Sequence, residues 1–146
     1  EKYRETEITI KGNEIFRGES DTDEIRRIVS NYTKANIQGK IFKNKETGFE
    51  VLVSAKGLHK TFQRSERKHF QSIYAIPELI KRSMLAGGPY QDRKQRESLK
   101  YYRFRSLLTI ENEKYLVNMI IAEVYKAEEV KRYYDHSLTI IKKLGR

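Results

Sequence analysis

Histidine, the side chain that exchanges protons near neutral pH, occurs three times in this chain. His69 lies mid-sequence, His136 follows Asp135 near the end, and His59 precedes Lys60. Cleavage of an RNA phosphodiester without a metal needs a base for the 2′-hydroxyl, an acid for the leaving oxygen and a cation for the developing charge. Two histidines and a lysine can fill these roles. The residue types therefore favour metal-free acid–base chemistry on RNA, although each histidine could instead be an ordinary helix or strand residue.

Several other enzyme classes lack their essential residues here. The chain has no cysteine, which excludes disulfides, thiolate nucleophiles and zinc–thiolate sites. The histidines show none of the H-x-x-x-H or H-E-x-x-H spacings of metal sites. No Gly-rich phosphate loop and no G-x-S-x-G nucleophile motif occurs. We therefore expect no metal and no cofactor.

The positive charge is concentrated in one part of the chain. The 146 residues carry 30 Lys and Arg against 20 Asp and Glu, a formal net charge of +10. The first fifty residues are neutral overall, whereas Lys56–Arg105 carries 13 basic and four acidic side chains, a net +9. Such a concentration attracts polyanions, so we expect this segment to supply most of one positive face. A nucleic acid, an anionic membrane and an acidic protein all fit this charge.

Length and composition indicate one folded domain. The length suits a single domain, and the ten Tyr and six Phe are too many for a disordered chain. No apolar run reaches the roughly 20 residues of a membrane span, because Asn118 and Glu123 interrupt the longest one. We expect an N-terminal extension over residues 1–40 and a core over residues 41–146. The chain starts at Glu1 and not at Met, which suggests a mature product or, in preference, a piece of a longer polypeptide.

The hydrophobic period changes along the chain from helical to strand-like values, and this predicts an α+β fold. A short amphipathic helix follows the capping residues Ser20-Asp21-Thr22-Asp23. Alternating residues predict an antiparallel sheet packed against a long helix that Pro77 interrupts. The sheet consists of a hairpin and a C-terminal three-stranded meander. The predicted bounds are Ile41–Ser54 for the hairpin, Ser65 to about Ala86 for the helix, and Tyr101–Ile110, Tyr115–Tyr125 and Arg132–Ile141 for the meander.

Several short motifs, each present once, follow one another in a defined order over about Ile41–Ile141. They are Asn44-Lys45-Glu46-Thr47-Gly48, Lys56-Gly57-Leu58-His59-Lys60-Thr61, Ile76-Pro77-Glu78-Leu79-Ile80, Tyr101-Tyr102-Arg103-Phe104 and Tyr133-Tyr134-Asp135-His136-Ser137-Leu138-Thr139. In order and spacing the chain resembles the large polyvalent protein-associated domain type 3 family of phage and mobile-element proteins. The resemblance implies the nuclease fold shared by barnase, the EndoU nucleases, two colicins and RelE.

The resemblance also implies positions for the site residues. Ser54 and Lys60 would lie at the edge of a cleft, after the first hairpin. His69 would project from the main helix toward the sheet, and His136 and Thr139 would come from the last strand. His69 or His136 would then act as general base and the other as acid, while Lys60 would steady the phosphate.

Basic residues and two tyrosines complete the predicted site. Cations bind phosphates, and tyrosines stack on the bases of single strands. Core packing or cross-strand pairing is the alternative role for the tyrosines. The predicted RNA-binding residues are Lys56, Arg64, Arg67, Lys68, Arg103, Arg105, Tyr102 and Tyr134.

These observations predict a metal-independent ribonuclease-like module, either a toxin or effector or a phage polyvalent-protein domain. Its expected substrate is RNA in preference to DNA, and an acidic immunity or inhibitor protein is an expected partner. It would act in the cytoplasm, or reach a target cell's cytoplasm within a larger polypeptide. Two alternatives stay open: a catalytically inactive nucleic-acid-binding module, and a module that binds acidic proteins or membrane surfaces.

Overall fold

The first helix begins where the capping residues predict it. The computed structural model describes residues 6–18, 21–55, 66–91, 94 and 98–143, with the backbone alone for residues 135–143. Helix α1 spans Thr22–Asn36, and the Asp21 side chain at its N-cap accepts a hydrogen bond from the Asp23 backbone N–H at 3.0 Å. Ile25 and Val29 on one side of α1 are buried in the core, as the spacing of its apolar residues requires.

Strands form most of the described structure. Seven of them build one sheet in the order β1–β5–β6–β7–β3–β2, with β4 paired to β5 as well. β1 lies parallel to β5 and β3 lies parallel to β7, whereas the other pairs are antiparallel. The strands are β1 (Ile8–Ile10), β2 (Ile41–Lys43), β3 (Glu50–Val53), β4 (Met84–Gln91), β5 (Leu99–Ile110), β6 (Glu113–Lys126) and β7 (Glu129–Lys143).

The predicted α+β architecture is therefore wrong. The sheet is mixed and curled, and it is not a separate hairpin plus a meander against a long helix. The strands of the expected hairpin and meander do form, but parallel pairing of β3 with β7 joins them into one sheet. β1 and β4 share the free edge of β5, with β4 along Lys100–Arg105 and β1 along Leu108–Ile110.

The predicted long helix is also wrong. It is divided into α2 (Arg67–Ser72), a 3₁₀ turn at Ile73–Ala75 and α3 (Ile76–Arg82). Pro77 sits in the first turn of α3, where a missing N–H costs nothing. From Met84 onward the chain is strand β4, although Gly87-Gly88-Pro89 predicts the end of a helix there.

A hairpin residue holds the end of α3. Asn44, at the end of β2, is buried, and its Nδ2 donates to the carbonyls of Ile80 and Ser83 at 2.8 Å each. Its Oδ1 accepts from the Thr47 N–H and hydroxyl at 2.9 Å. One side chain thus closes the β2–β3 turn and satisfies helix carbonyls that would otherwise lack partners.

The helices cover one face of the sheet, which we call the inner face. Phe104, Ser106 and Leu108 of β5 point into this core, and Val117 and Met119 of β6 join them. Alternate residues point to the opposite, outer face. β1 and α1 contribute to the same core, so residues 1–40 are no separate layer in their described part. None of the described helices is both long and apolar enough to cross a membrane.

Candidate functional site

Five predicted site residues cannot be located by their side chains. Lys56, Lys60 and Arg64 lie outside the described residues. His136 and Thr139 are described by their backbone alone, and His136 pairs with Ile120 of β6. The β6–β7 register shifts on both sides of that pair, which marks bulges in β7. The roles assigned to these five residues stay predictions.

His69 is buried in α2. Its Nδ1 lies 3.5 Å from Glu66 Oε1, and its backbone carbonyl accepts a hydrogen bond from the Ser72 hydroxyl at 2.7 Å. Ser54 is half-buried and directly follows β3. A role for His69 in chemistry would therefore require a substrate to enter the space between the helices and the sheet.

The basic residues of α2 contact other parts of the chain. The Arg67 guanidinium lies 4.8 Å from the centre of the Phe16 ring and donates to the Arg17 carbonyl. Lys68 Nζ lies 3.5 Å from Glu66 Oε2 and 5.6 Å from the centre of the Tyr115 ring. Both side chains therefore help to pack the helix layer.

Arg103 and Arg105 lie on the other side of the sheet. They alternate along β5 with the buried Phe104 and Ser106, so they point to the outer face. The described residues predicted to form one positive face are thus divided between the helix layer, with Arg67 and Lys68, and the outer face of the sheet. These four residues therefore do not share one face of the sheet, and the prediction that residues 56–105 supply most of one positive face stays a prediction.

The two tyrosines of the prediction have different environments. Tyr134 is fully buried in the core, so its ring is not open for a base to stack on. Tyr102 is half-buried, and its hydroxyl lies near a carboxylate that the prediction did not include.

That carboxylate belongs to Glu123, which is 1% exposed. Glu123 lies on the inner face of β6, directly opposite Arg132 of β7. Arg132 Nε donates to Glu123 Oε2 at 2.8 Å. Tyr102 donates to Glu123 Oε1 at 3.2 Å, and the Tyr125 hydroxyl donates to the same oxygen. We call Glu123, Arg132, Tyr102, Tyr125 and Phe49 the Glu123 cluster.

Phe49 orders the open side of the Glu123 cluster. The Arg132 guanidinium stacks 3.9 Å from the centre of the Phe49 ring. The same ring meets Tyr102 edge to face, with 5.0 Å between the ring centres. Arg132 retains 28% side-chain exposure while Glu123 retains 2%, so solvent can reach the Arg132 side chain, the half-buried phenols and the Phe49 ring but not the carboxylate.

Burial and the Glu123 carboxylate raise the pKa of both phenols. The hydrogen bond to Glu123, together with burial, raises the pKa of Tyr125 to about 12. Burial and the nearby Glu123 charge also raise the pKa of Tyr102. The Glu123 cluster thus combines a guanidinium, a carboxyl group and two phenols that hold their protons more tightly than an exposed tyrosine does, a set that can bind a phosphate and move a proton.

Sequence reasoning missed Glu123, Tyr125 and Arg132, although one signal was present. Glu123 interrupts the longest apolar run of the chain at a position that alternation assigns to the core. An acid at such a position needs a partner, and the β6–β7 register supplies Arg132. The described residues contain no group of three His, Asp or Glu placed to hold a metal ion.

The family model of the large polyvalent protein-associated domain 3 matches residues 20–134. Neither a curated protein nor a solved structure matches. The nuclease fold that the resemblance implies therefore stays a prediction. The match begins one residue before the N-cap of α1 and ends in β7, so it includes every residue of the Glu123 cluster. The chain belongs to the large polyvalent protein-associated domain 3 family.

Proposed function

We propose that this domain cleaves RNA without a metal, at the Glu123 cluster. The observation that carries the proposal is a buried carboxylate bound at once to a guanidinium and two phenols. Two of these partners are half-buried phenols, so a bound substrate can meet hydroxyl groups that are hydrogen-bonded to the buried carboxylate. The net charge of +10 supports a polyanionic substrate.

Each member of the cluster has a distinct role in the proposed reaction. Arg132 binds the scissile phosphate and stabilises the charge that develops on it, because its guanidinium is the exposed cation of the cluster. Phe49 stacks against that guanidinium and holds it in place. Tyr102 faces the substrate, and Glu123 behind it receives the proton.

The proposed reaction is an intramolecular transfer at phosphorus with one proton removed and one proton supplied. The RNA 2′-hydroxyl gives its proton to Tyr102 Oη while the phenolic proton passes to Glu123 Oε1. The 2′ oxygen attacks phosphorus, and the bond from phosphorus to the 5′ oxygen breaks. The leaving 5′ oxygen takes a proton from a second group. The products are a 2′,3′-cyclic phosphate and a free 5′-hydroxyl.

We assign the second proton to one of the residues predicted from the sequence. His136 lies four positions after Arg132 on β7. His69 is the other candidate, and Lys60, Ser54 and Thr139 complete the proposed surroundings of the phosphate. On this proposal the domain acts where RNA is present, in a cytoplasm, and an acidic protein covering Arg132 would inhibit it.

The test is a single-turnover cleavage assay in EDTA with end-labelled RNA. We expect cleavage that leaves cyclic phosphate ends, and no cleavage of an oligonucleotide that lacks the 2′-hydroxyl. Glu123→Gln should lower the rate by about 10²–10⁴-fold, the usual contribution of a proton-transfer group. Glu129→Gln is the matched control, since Glu129 is an exposed glutamate of the same hairpin.

Two results would overturn the proposal. One is intact RNA at high protein concentration in EDTA, which would favour a binding module that does not cleave. The other is a Glu123→Gln variant that cuts at the wild-type rate, which would move the chemistry elsewhere. Near-UV circular dichroism of each variant shows whether the fold is retained.

A further inference from the structure

Among the residues that the structure describes, the centre of the outer face of β4, β5 and β6 carries cations without neighbouring carboxylates. Arg103 and Arg105 lie at its centre. The only acids in these three strands, Glu113 and Glu123, occupy inner-face positions of β6. Glu7 is the acid that reaches this face, and it contacts Thr109 and Lys114 at the far end of β5.

An aromatic ring lies beside the first arginine. Tyr90 of β4 is 43% exposed, and the Arg103 guanidinium lies 5.4 Å from the centre of its ring. Arg103 Nη2 also donates to the Tyr90 hydroxyl at 3.2 Å. The ring folds back over Gly87, where a Cβ atom would overlap the Tyr90 hydroxyl. A glycine is therefore required for this arrangement of Tyr90.

The second arginine is held by an amide. Arg105 Nε donates to Asn118 Oδ1 at 2.7 Å across the β5–β6 pair. In the part of the chain that the structure describes, neither Arg103 nor Arg105 is paired with a carboxylate. Both guanidiniums are thus oriented by neutral partners and keep their full charge for a ligand.

We propose that this surface, formed by Tyr90, Arg103, Arg105 and Asn118, is a docking site for a single-stranded nucleic acid. The two guanidiniums bind successive phosphates, and Tyr90 stacks on an unpaired base. Charge complementarity selects a polyanion, and the exposed ring beside the arginines selects one with free bases. The site lies on the face opposite the Glu123 cluster, and its binding does not require the cleavage proposed above.

The test uses a fluorescent 2′-O-methyl oligouridylate, which has no free 2′-hydroxyl to react. Fluorescence anisotropy at several salt concentrations gives the slope of log K against log salt. Each phosphate contact contributes about 0.7 to that slope for a single strand, so Arg103→Ala/Arg105→Ala should lower it by about 1.4. Tyr90→Ala should weaken binding by about fivefold or more. Arg27→Ala/Lys34→Ala removes equal charge from α1 and should leave the slope unchanged.

Gly87→Ala tests the site without changing any charge. The added methyl group should displace the Tyr90 ring and weaken binding, whereas Gly18→Ala, at a glycine with open space around it, should not. The proposal is overturned if the double arginine variant keeps the wild-type slope. It is equally overturned if poly-glutamate or duplex RNA of equal length binds more tightly than the single strand. Near-UV circular dichroism shows whether each variant is folded.

Discussion

Arg132 and Glu123 face each other across the β6–β7 ladder, with Arg132 Nε 2.8 Å from Glu123 Oε2. The pair is asymmetric, because the Glu123 carboxylate is buried while the Arg132 side chain is 28% exposed. A buried acid that holds a partly exposed cation fixes the direction of that cation. The same geometry makes the pair important for stability.

Arg132→Ala should lower the free energy of unfolding by about 3 kcal/mol, because it leaves a buried carboxylate without its cation. The value lies at the lower end for a broken buried pair, since Arg132 is partly in water. Urea unfolding measures it. Lys131→Ala, an exposed neighbour, should change the midpoint little. In the double variant Arg132→Ala/Glu123→Gln, part of the loss should be recovered; strictly additive losses would show that the two side chains do not interact.

The phenols of the Glu123 cluster should make stability depend on alkaline pH. The pKa of Tyr125 is raised from 10.0 to about 12 in the folded protein, so folding favours the protonated phenol. This contribution is fully present below pH 10 and is lost as the pH rises toward 12. In a pH titration followed by tyrosinate absorbance, the Tyr125→Phe variant should lack one tyrosine that ionises near pH 12 in the wild type. Glu123→Gln should shift that group to lower pH, and Glu129→Gln should leave the titration as it is in the wild type.

Asn44→Ala should lower the free energy of unfolding by about 1–3 kcal/mol, the cost of leaving buried polar groups without partners. The variant leaves the carbonyls of Ile80 and Ser83 without the amide that donates to them, and the Thr47 N–H without its acceptor. Asn36→Ala is the control, because Asn36 is exposed and its side chain donates only within α1. Equal effects of the two substitutions in thermal unfolding would contradict the structural role of Asn44.

Two buried serines should respond to the same substitution with opposite signs. Ser106 Oγ is buried without a hydrogen-bond partner among the described residues, so Ser106→Ala should raise stability by about 1 kcal/mol. Ser72 Oγ donates to the His69 carbonyl, so Ser72→Ala should lower stability by about 1 kcal/mol. Urea midpoints of both variants provide the check. A loss at Ser106 comparable to that at Ser72 would mean that its hydroxyl is bonded in solution.

The sequence predicts those elements that depend on residues close to one another in the chain. The Asp21 cap, the β2–β3 hairpin and the three long strands follow from short-range patterns, and alternation along β5 places Arg103 and Arg105 on the face opposite the buried Phe104. β4 was missed because Gly87 and Gly88 disfavour a strand in isolation. Its stability comes from pairing with β5, beyond the range of any local pattern.

The candidate site was less accessible to sequence reasoning. Glu123 was visible as an interruption of an apolar run, but its partners were not, because the β6–β7 register determines which residue of β7 lies opposite it. Tyr134 shows the converse problem. Its type suits stacking on a base, yet it pairs with Val53 and Ile121 in the middle of the sheet, where no base can reach it.

The two parallel pairings have a kinetic consequence. Ile8 pairs with Leu108, 100 positions later, and Val51 pairs with Arg132, 81 positions later. Each pairing must close a long loop before its strands make contact. The chain therefore loses conformational entropy before the contacts between the strands stabilise it. Refolding from urea should therefore occur in the range of milliseconds to seconds, as in proteins dominated by non-local strand pairing. During synthesis, β3 can pair with its parallel neighbour only after β7 has emerged from the ribosome.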